Sequence, residues 1–400
     1  MEIEKLDHFG RGITKIDNKI CFVENALPGE EVEIEKISEN KKKIEAKVTK
    51  YIKKSNDREE PKCKYYNKCG GCSIGHLKYD KQLDYKVKRV EEILKRFTNI
   101  NMDIDSIEDS NRYNYRNKVV LHVKDGKIGF YKNKSNNIIE VDECLLLDDK
   151  INYLISLLKK RINLNNVKKI TIKLGNNTNE VMLIIDGEVD NISYLLELVD
   201  VLIINDKVIS DKKYITSIID GKKYIVSKNS FFQVNKYVVK KLYDEIKNIV
   251  IKNNSSNVLD LYSGTGTIGI YISEYVNKVL GIEVVSDAVN DSYLNKDINN
   301  CNNIDFILGK VEDKLEVLDD IDTIIVDPPR SGLDKKVIEV IKRISPNLII
   351  YTSCDAVTLS RDLNYLKENY NIKSIKLFDM FPNTYHVECI SVLERRNVEK

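Results

Sequence analysis

No stretch of this 400-residue sequence approaches the ~18 consecutive apolar residues of a membrane-spanning helix, which argues against an integral membrane protein. The opening MEIEKLDHFGRG lacks the apolar core of a secretory leader, so a cytoplasmic protein is expected. Net charge is missing as well. The 64 Lys and Arg against 62 Asp and Glu leave +2, so overall electrostatics does not by itself demand a nucleic acid partner. No internal repeat is evident, which argues against a solenoid. What is present fits a soluble globular chain, 42% hydrophobic and 32% charged. The length exceeds what one core usually organises, so two or three domains are expected.

The distribution of charge says more than its sum. Residues 50–90 hold twelve Lys or Arg against five Asp or Glu. Such a stripe would attract phosphates, or simply form a solvated face. The eight cysteines stand at 21, 63, 69, 72, 144, 301, 354 and 389. In a reducing cytosol, clustered cysteines suggest metal binding or catalysis rather than disulfides.

Residues 1–54 read as short strands with alternating apolar positions, split at LPGE and SENKKK. That pattern suits a small OB-like β-barrel. Residues 56–72 read as loop, and the spacing of Leu83, Val87, Val90, Ile93, Leu94 and Phe97 predicts a helix over 79–97. Residues 110–226 read as a mostly antiparallel α+β unit, with helices near 148–161 and 190–200. From about 230, strand-like runs alternate with helical ones, the pattern of a parallel sheet with crossover helices. The last two strands are joined by only about seven residues, too few for a parallel crossover, so the final strand should run antiparallel. The domain expectation is therefore a barrel over 1–54, a cysteine-containing segment and central α+β domain over 55–229, and a Rossmann-like α/β domain over 230–400.

In that last domain, the first strand ends in DLYSGTGTIG, where Gly264 and Gly266 allow a tight turn and close approach to a ligand. The second ends in Gly281-Ile282-Glu283, an acid able to hold a ribose. Together these favour S-adenosylmethionine, although a dinucleotide site uses the same devices. The fourth strand ends in Asp327-Pro328-Pro329-Arg330, a stiff loop over the same edge of the sheet. The fifth delivers Cys354 there, just before an expected helix whose N-terminus would lower the thiol pKa. The start of the antiparallel last strand brings Glu388 to the same rim, while Cys389 and Cys301 read as packing residues.

A thiol and a carboxylate beside a methyl donor suggest one chemistry. C5 of uracil is too weak a nucleophile to attack a sulfonium unaided. Addition of the Cys354 sulfur to C6 would turn the ring into an enolate, and Glu388 would later remove the C5 proton. RNA cytosine-C5 methyltransferases carry a second cysteine directly after the proline loop. Here that position is Arg330, which favours uracil. The spacing Cys63-x5-Cys69-Gly-Gly-Cys72, with Cys144 as a fourth ligand, would hold either zinc or an iron–sulfur cluster.

Nearly end to end, the chain resembles bacterial RNA uracil-5-methyltransferases, the group that includes the 23S rRNA and tRNA uridine enzymes. GRGITKIDNKICFVENALPGE resembles a TRAM domain, and CKYYNKCGGCSIGHLKYDKQLDYK is similar to the family's iron–sulfur segment. FFQVN, DLYSGTGTIGIYI, GIE, VDPPRSGL, YTSCD and HVECISVL follow in family order. The resemblance implies a class I methyltransferase domain on which the helix over 79–97 packs, so that the domain borders are not contiguous, and a 4Fe–4S cluster on Cys63, Cys69, Cys72 and Cys144. It also implies S-adenosylmethionine contacts at Gln233, Tyr262, Glu283 and Asp327, beside the Gly264 of the glycine turn, with Cys354 as nucleophile and Glu388 as base. Arg116, in YRNKV, and Arg330 are the expected RNA contacts. The barrel and cysteine segment point to 23S rRNA ahead of tRNA, and a monomer is expected. A non-catalytic iron–sulfur RNA-binding protein and a dinucleotide-dependent oxidoreductase are the competing classes. Two positions depart from the family: Ser263 stands where many members have Cys, and the loop Ile209 to Gly221 is compact.

Overall fold

The computed structural model describes residues 1–100, 102–133, 135–314 and 320–396. Strands β1 (Lys5–Leu6), β2 (Gly12–Ile16), β3 (Lys19–Glu24), β4 (Glu31–Glu39) and β5 (Lys43–Lys53) form one sheet in the order β1-β2-β3-β5-β4. Alternation points Cys21 and Val23 on β3 and Ile44 and Ala46 on β5 into a small core with Ile3 and Val32. The first residues close the barrel. The Ile3 N–H donates to the Glu30 carbonyl at 3.0 Å, and the Val32 N–H to the Met1 carbonyl at 2.9 Å.

Helix α1 (Tyr79–Thr98) follows and stops at Asn99, whose left-handed φ of 54° turns the chain out. Its Val90, Ile93 and Leu94 are buried in the core of the C-terminal sheet. Strand β6 (Ser106–Glu108) then joins that sheet's outer edge. Both elements precede the central sheet in the chain, yet they pack with what comes after it, across the expected border at 229/230.

The central sheet consists of β7 (Lys118–Lys124), β8 (Lys127–Tyr131), β9 (Ile138–Glu140), β10 (Val167–Leu174), β11 (Val181–Gly187), β12 (Val201–Ile204) and β13 (Lys207–Val208), in the order β13-β12-β11-β10-β7-β8-β9. Helices α2 (Asp149–Arg161) and α3 (Ile192–Leu198) accompany it. Only the β11–β12 pair is parallel among its ladders. Leu183 and Ile185 of β11 face the central core, while Met182 and Ile184 face the core shared with the C-terminal unit. Burial on both faces explains the unbroken MLII run. Five residues of the segment expected to be a loop, 209–221, are strand. Here β14 (Ile215–Ile219) pairs with β15 (Lys222–Val226) across Asp220-Gly221, both at positive φ, as a tight hairpin turn requires.

The C-terminal unit runs α4 (Val239–Lys252), β16 (Asn257–Leu261), α5 (Thr267–Ile272), β17 (Lys278–Glu283), α6 (Ser286–Ile298), β18 (Ile304–Leu308), α7 (Val311–Lys314), β19 (Thr323–Val326), α8 (Lys335–Ile344), β20 (Leu348–Ser353), α9 (Ala356–Leu366), β21 (Tyr370–Phe378) and β22 (Glu388–Arg395). Its sheet order is β18-β17-β16-β19-β20-β22-β21-β6. Strand β22 lies between β20 and β21, antiparallel to both. The order reverses between β16 and β19, and the crevice at such a switch is where open α/β sheets bind ligands. This is the expected Rossmann-like α/β domain behind an OB-like barrel and a central α+β domain. Among the described residues, no helix is long and apolar enough to cross a membrane.

Candidate active site

At the end of β16 the backbone turns through three left-handed residues: Tyr262 at φ 62°, Gly264 at 55° and Gly266 at 75°. A Cβ at Gly266 would stand 2.5 Å from the Phe306 ring, so the turn needs glycine there for packing. At Gly264 a Cβ would meet nothing within 4 Å, because that glycine faces open space. Tyr262 is held in a conformation that costs a non-glycine residue about 1 kcal/mol or more, a cost that concentrates at ligand sites. The Glu283 carboxylate, at the end of β17, ties the turn together. Its Oε2 accepts the Gly264 N–H at 3.0 Å, and its Oε1 accepts the Val284 and Val285 N–H groups at 2.8 Å each. Oε2 thereby keeps capacity for another donor. The hydroxyls of Ser263 and Thr265 and one oxygen of Asp260 are buried here without partners. Burial, then the charges of Asp327 and Glu283, push Asp260 up to about 8.

The loop after β19 is clamped onto α9. Thr358 Oγ1 donates to the Arg330 carbonyl at 3.1 Å, and Arg361 donates to the Ser331 carbonyl at 2.9 Å. The Leu333 N–H meets Asp362 Oδ2 at 2.8 Å. This fixes Asp327 and Arg330 beside Cys354, which follows β20 directly. Ser353 pairs with Cys389 across the sheet, so Glu388 arrives at the same rim from the opposite direction. Cys389 and Cys301 are buried in the two cores, as packing residues should be.

The expected lowering of the Cys354 pKa does not occur. Burial pushes this thiol up to about 11, with Glu388 adding to the shift and Arg330 opposing it. The first free amides of α9 are spent elsewhere: Asp355 Oδ1 accepts the N–H groups of Val357 and Thr358, both at 3.0 Å. Glu388 is also driven well above the carboxylate range, by burial and by Asp327, again against Arg330. Arg330 is the cation that opposes both shifts.

Half of the twelve cations in the basic stripe over 50–90 stand in ion pairs. Lys50, Lys54, Arg58, Lys64, Lys81 and Lys86 pair with Glu33, Glu60, Glu30, Asp142, Asp84 and Asp379 respectively. Four of these carboxylates, Glu33, Glu30, Asp142 and Asp379, lie outside the stripe and offset part of its charge.

Cys63, Cys69, Cys72 and Cys144 share one cavity wall with Gly71, Arg116 and the apolar Val119, Phe130 and Leu146. Burial raises the Cys72 thiol, and charge on Cys144, Cys69 and Cys63 raises it further, against Arg116. The Gly71 N–H donates to the Cys69 sulfur at 3.4 Å. The four thiols thus form one electrostatic group. Among the described residues, no three His, Cys, Asp or Glu side chains stand close enough to hold a single metal ion. The cavity, about 900 Å³, continues without a break to the rim. Gln233, Tyr262, Gly264, Glu283, Asp327, Arg330, Cys354 and Glu388 all line it, so every expected site residue faces one space. Gln233 is held there through its carbonyl, which accepts from Asn117 Nδ2 at 3.1 Å.

Comparison with known proteins bears on this arrangement. The model of the tRNA (uracil-5-)-methyltransferase family matches residues 199–396, and that of the TRAM domain matches residues 1–49. An uncharacterized RNA methyltransferase of Clostridium acetobutylicum is 36% identical, with 98% of this chain and 96% of that protein aligned. Another, from Caldanaerobacter subterraneus, is 34% identical over 99% and 97%. The chain belongs to the RNA uracil-5-methyltransferase family. The crystal structure of the Pyrococcus abyssi tRNA (uracil-54, C5)-methyltransferase in complex with S-adenosyl-L-homocysteine is 28% identical. It superposes with a TM-score of 0.81 over 98% of this chain and 99% of that one.

Sequence reasoning missed several aromatic residues of the cavity, Phe231 and Phe381 among them. Phe231 lines it while remaining 62% exposed. Two phenylalanines stand side by side in FFQVN, and their unequal burial carries no sequence signal. Phe381 lies in the short connection between β21 and β22, and only the tertiary arrangement turns it inward.

Proposed function

We propose that this chain transfers a methyl group to C5 of a uridine in RNA, with Cys354 as nucleophile and Glu388 as base. The observation that carries the reading is the meeting of a thiol, a carboxyl group and Arg330 on the wall of a cavity that also holds the glycine turn of β16. When bound, S-adenosylmethionine supplies an electrophilic methyl group. The residues fit it: Gly264 is open to close approach, Glu283 has a free lone pair for a ribose hydroxyl, and Tyr262, Gln233 and Asp327 complete the wall. The Cys354 thiol gives its proton to solvent, the sulfur bonds to C6 with the freed electron pair, and the ring electrons move toward C5 and O4. C5 takes the methyl group. Glu388, as carboxylate, removes the C5 proton, and the sulfur departs from C6 with the bonding pair. Arg330 favours both anions that this sequence needs.

Cys354→Ala should abolish transfer and the covalent adduct with 5-fluorouridine RNA. Retained turnover in that variant would overturn the mechanism.

The 4Fe–4S reading rests on the four thiols lining one space, their mutual electrostatic influence and the amide aimed at Cys69. There the cluster would tie the cysteine segment to the central sheet, with no step of methyl transfer assigned to it. The RNA is proposed to be 23S rRNA, acted on by a cytoplasmic monomer. A specific observation favours tRNA as the second reading: the likeness to the Pyrococcus abyssi enzyme runs the length of both chains. The barrel and cysteine segment therefore do not separate the two targets. Mapping 5-methyluridine by mass in rRNA and tRNA from a deletion strain distinguishes them.

A further inference from the structure

Phe9 is 54% exposed, although the loop that carries it is rigidly built. Asp7 Oδ1 accepts the N–H groups of Phe9 and Arg11 at 2.9 and 2.8 Å. From α1, the Tyr85 hydroxyl donates to the Asp7 carbonyl and Arg89 Nε to the His8 carbonyl, both at 2.8 Å. Gly10, at φ 79°, lies where a Cβ would be 2.3 Å from Ile74 Cγ2. These contacts dock the barrel loop without help from the Phe9 ring.

That ring meets Tyr385 edge-on, with centroids 5.4 Å apart. Tyr385 lies against His386 at 4.2 Å, and His386 against Phe381 at 6.0 Å. Phe381 lines the cavity that contains Cys354. Guanidinium groups flank the row: Arg11 lies 5.5 Å from the Phe9 ring centroid and Arg89 lies 5.5 Å from that of Tyr385. Burial first, then Arg330, Arg89 and Lys86, bring His386 down to about 4, so its ring is uncharged at neutral pH. The β21–β22 connection that carries these rings is itself fixed, since the Tyr385 N–H donates to Ser73 Oγ at 3.0 Å.

We propose that Phe9, Tyr385 and His386 form a stacking platform for unpaired RNA bases flanking the target uridine, leading from the barrel to the Cys354 cavity. The proposal rests on the methyltransferase reading for the identity of its occupant. Flat aromatic faces beside cations suit unpaired bases on a phosphate chain, whatever their sequence. Preordered rings lose little entropy on binding. Continuity with the cavity favours RNA over a protein partner, because Phe381 at the end of the row lines the space that contains Cys354.

The test uses the full chain, which contains no tryptophan, so Phe9→Trp introduces a single indole. The probe is a nine-nucleotide oligoribonucleotide with a central uridine among adenosines, alongside a version with abasic sites flanking the uridine. RNA should quench the indole, and the abasic probe should bind about 10-fold more weakly, as expected for loss of base stacking. Phe9→Ala should weaken binding of the intact probe by about 10-fold and raise KM with little change in kcat, and Phe9→Trp should restore both. Unchanged indole emission at saturating RNA, or unchanged affinity in Phe9→Ala, would overturn the platform. A Phe9→Ala chain that melts earlier yet binds RNA normally would make the ring a mere contact between units, which also overturns it. Methyl transfer by the unaltered chain to 23S rRNA and tRNA transcripts is measured in parallel. Quenching without any transfer would sink the enzyme reading and support the platform. Transfer without quenching would do the reverse.

Discussion

At neutral pH the Cys354 thiol, at about 11, holds its proton, while burial and Asp327 raise Glu388 well above its usual range. A thiol raised this far yields thiolate in a fraction that grows about tenfold per pH unit. Alkylation of Cys354 by iodoacetamide in the RNA-free protein, followed by peptide mass, should therefore accelerate from pH 7 to pH 10 without levelling off. A plateau below pH 9 would contradict the burial argument. Arg330→Ala removes the charge that opposes both shifts, so it should slow alkylation at every pH in that range. If Glu388 is the base, Glu388→Gln should leave the addition step intact and block release from C6. A covalent RNA–protein band should then accumulate on denaturing gels with ordinary uridine RNA, where the unaltered enzyme leaves none.

At the scale of elements, the β21–β22 connection is anchored by a fully buried ion pair between Lys86 of α1 and Asp379. Lys86 also donates to the Phe381 carbonyl at 3.1 Å, and Tyr79 donates to Asp379 Oδ2 at 2.8 Å. Removing one partner strands the other charge. Lys86→Met should cost about 3–5 kcal/mol in urea unfolding, whereas Lys86→Met with Asp379→Leu should cost clearly less. Equal losses in the single and double variants would refute a pairing role. In the glycine turn, Gly266→Ala should destabilise by about 1–3 kcal/mol, because it adds both a disfavoured φ and a clash with Phe306. Phe306→Leu in the same chain should recover the part due to the clash, as read from the melting temperature.

Across the whole molecule, the barrel, central sheet and Rossmann-like sheet all depend on segments that lie between them in the chain. Cys63, Cys69 and Cys72 come from the linker, Cys144 from the central unit, and all four open into the space that holds Cys354. If they hold a cluster, Cys72→Ser should lose bound iron and acid-labile sulfide together. The cysteine segment should then become sensitive to protease, while the glycine turn keeps its affinity for S-adenosylhomocysteine. Full iron content in that variant would remove Cys72 from the ligand set.

The sequence alone determined most of the elements and pointed to residues that the structure brings to one cavity. Apolar periodicity over 79–97 reflects one buried helix face, and the short link before HVECISVL forces an antiparallel strand. Both are local constraints and can be read locally. Only the tertiary structure decided how far α1 and β6 reach into the C-terminal sheet, that β14 lies within 209–221, and that Lys50, Arg58, Lys64 and Lys86 of the basic stripe pair with carboxylates outside it. It likewise decided the protonation of Cys354. A thiol's pKa follows from the low-dielectric wall and charges around it, here Glu388, Arg330 and Asp327, none of them its neighbours in the chain.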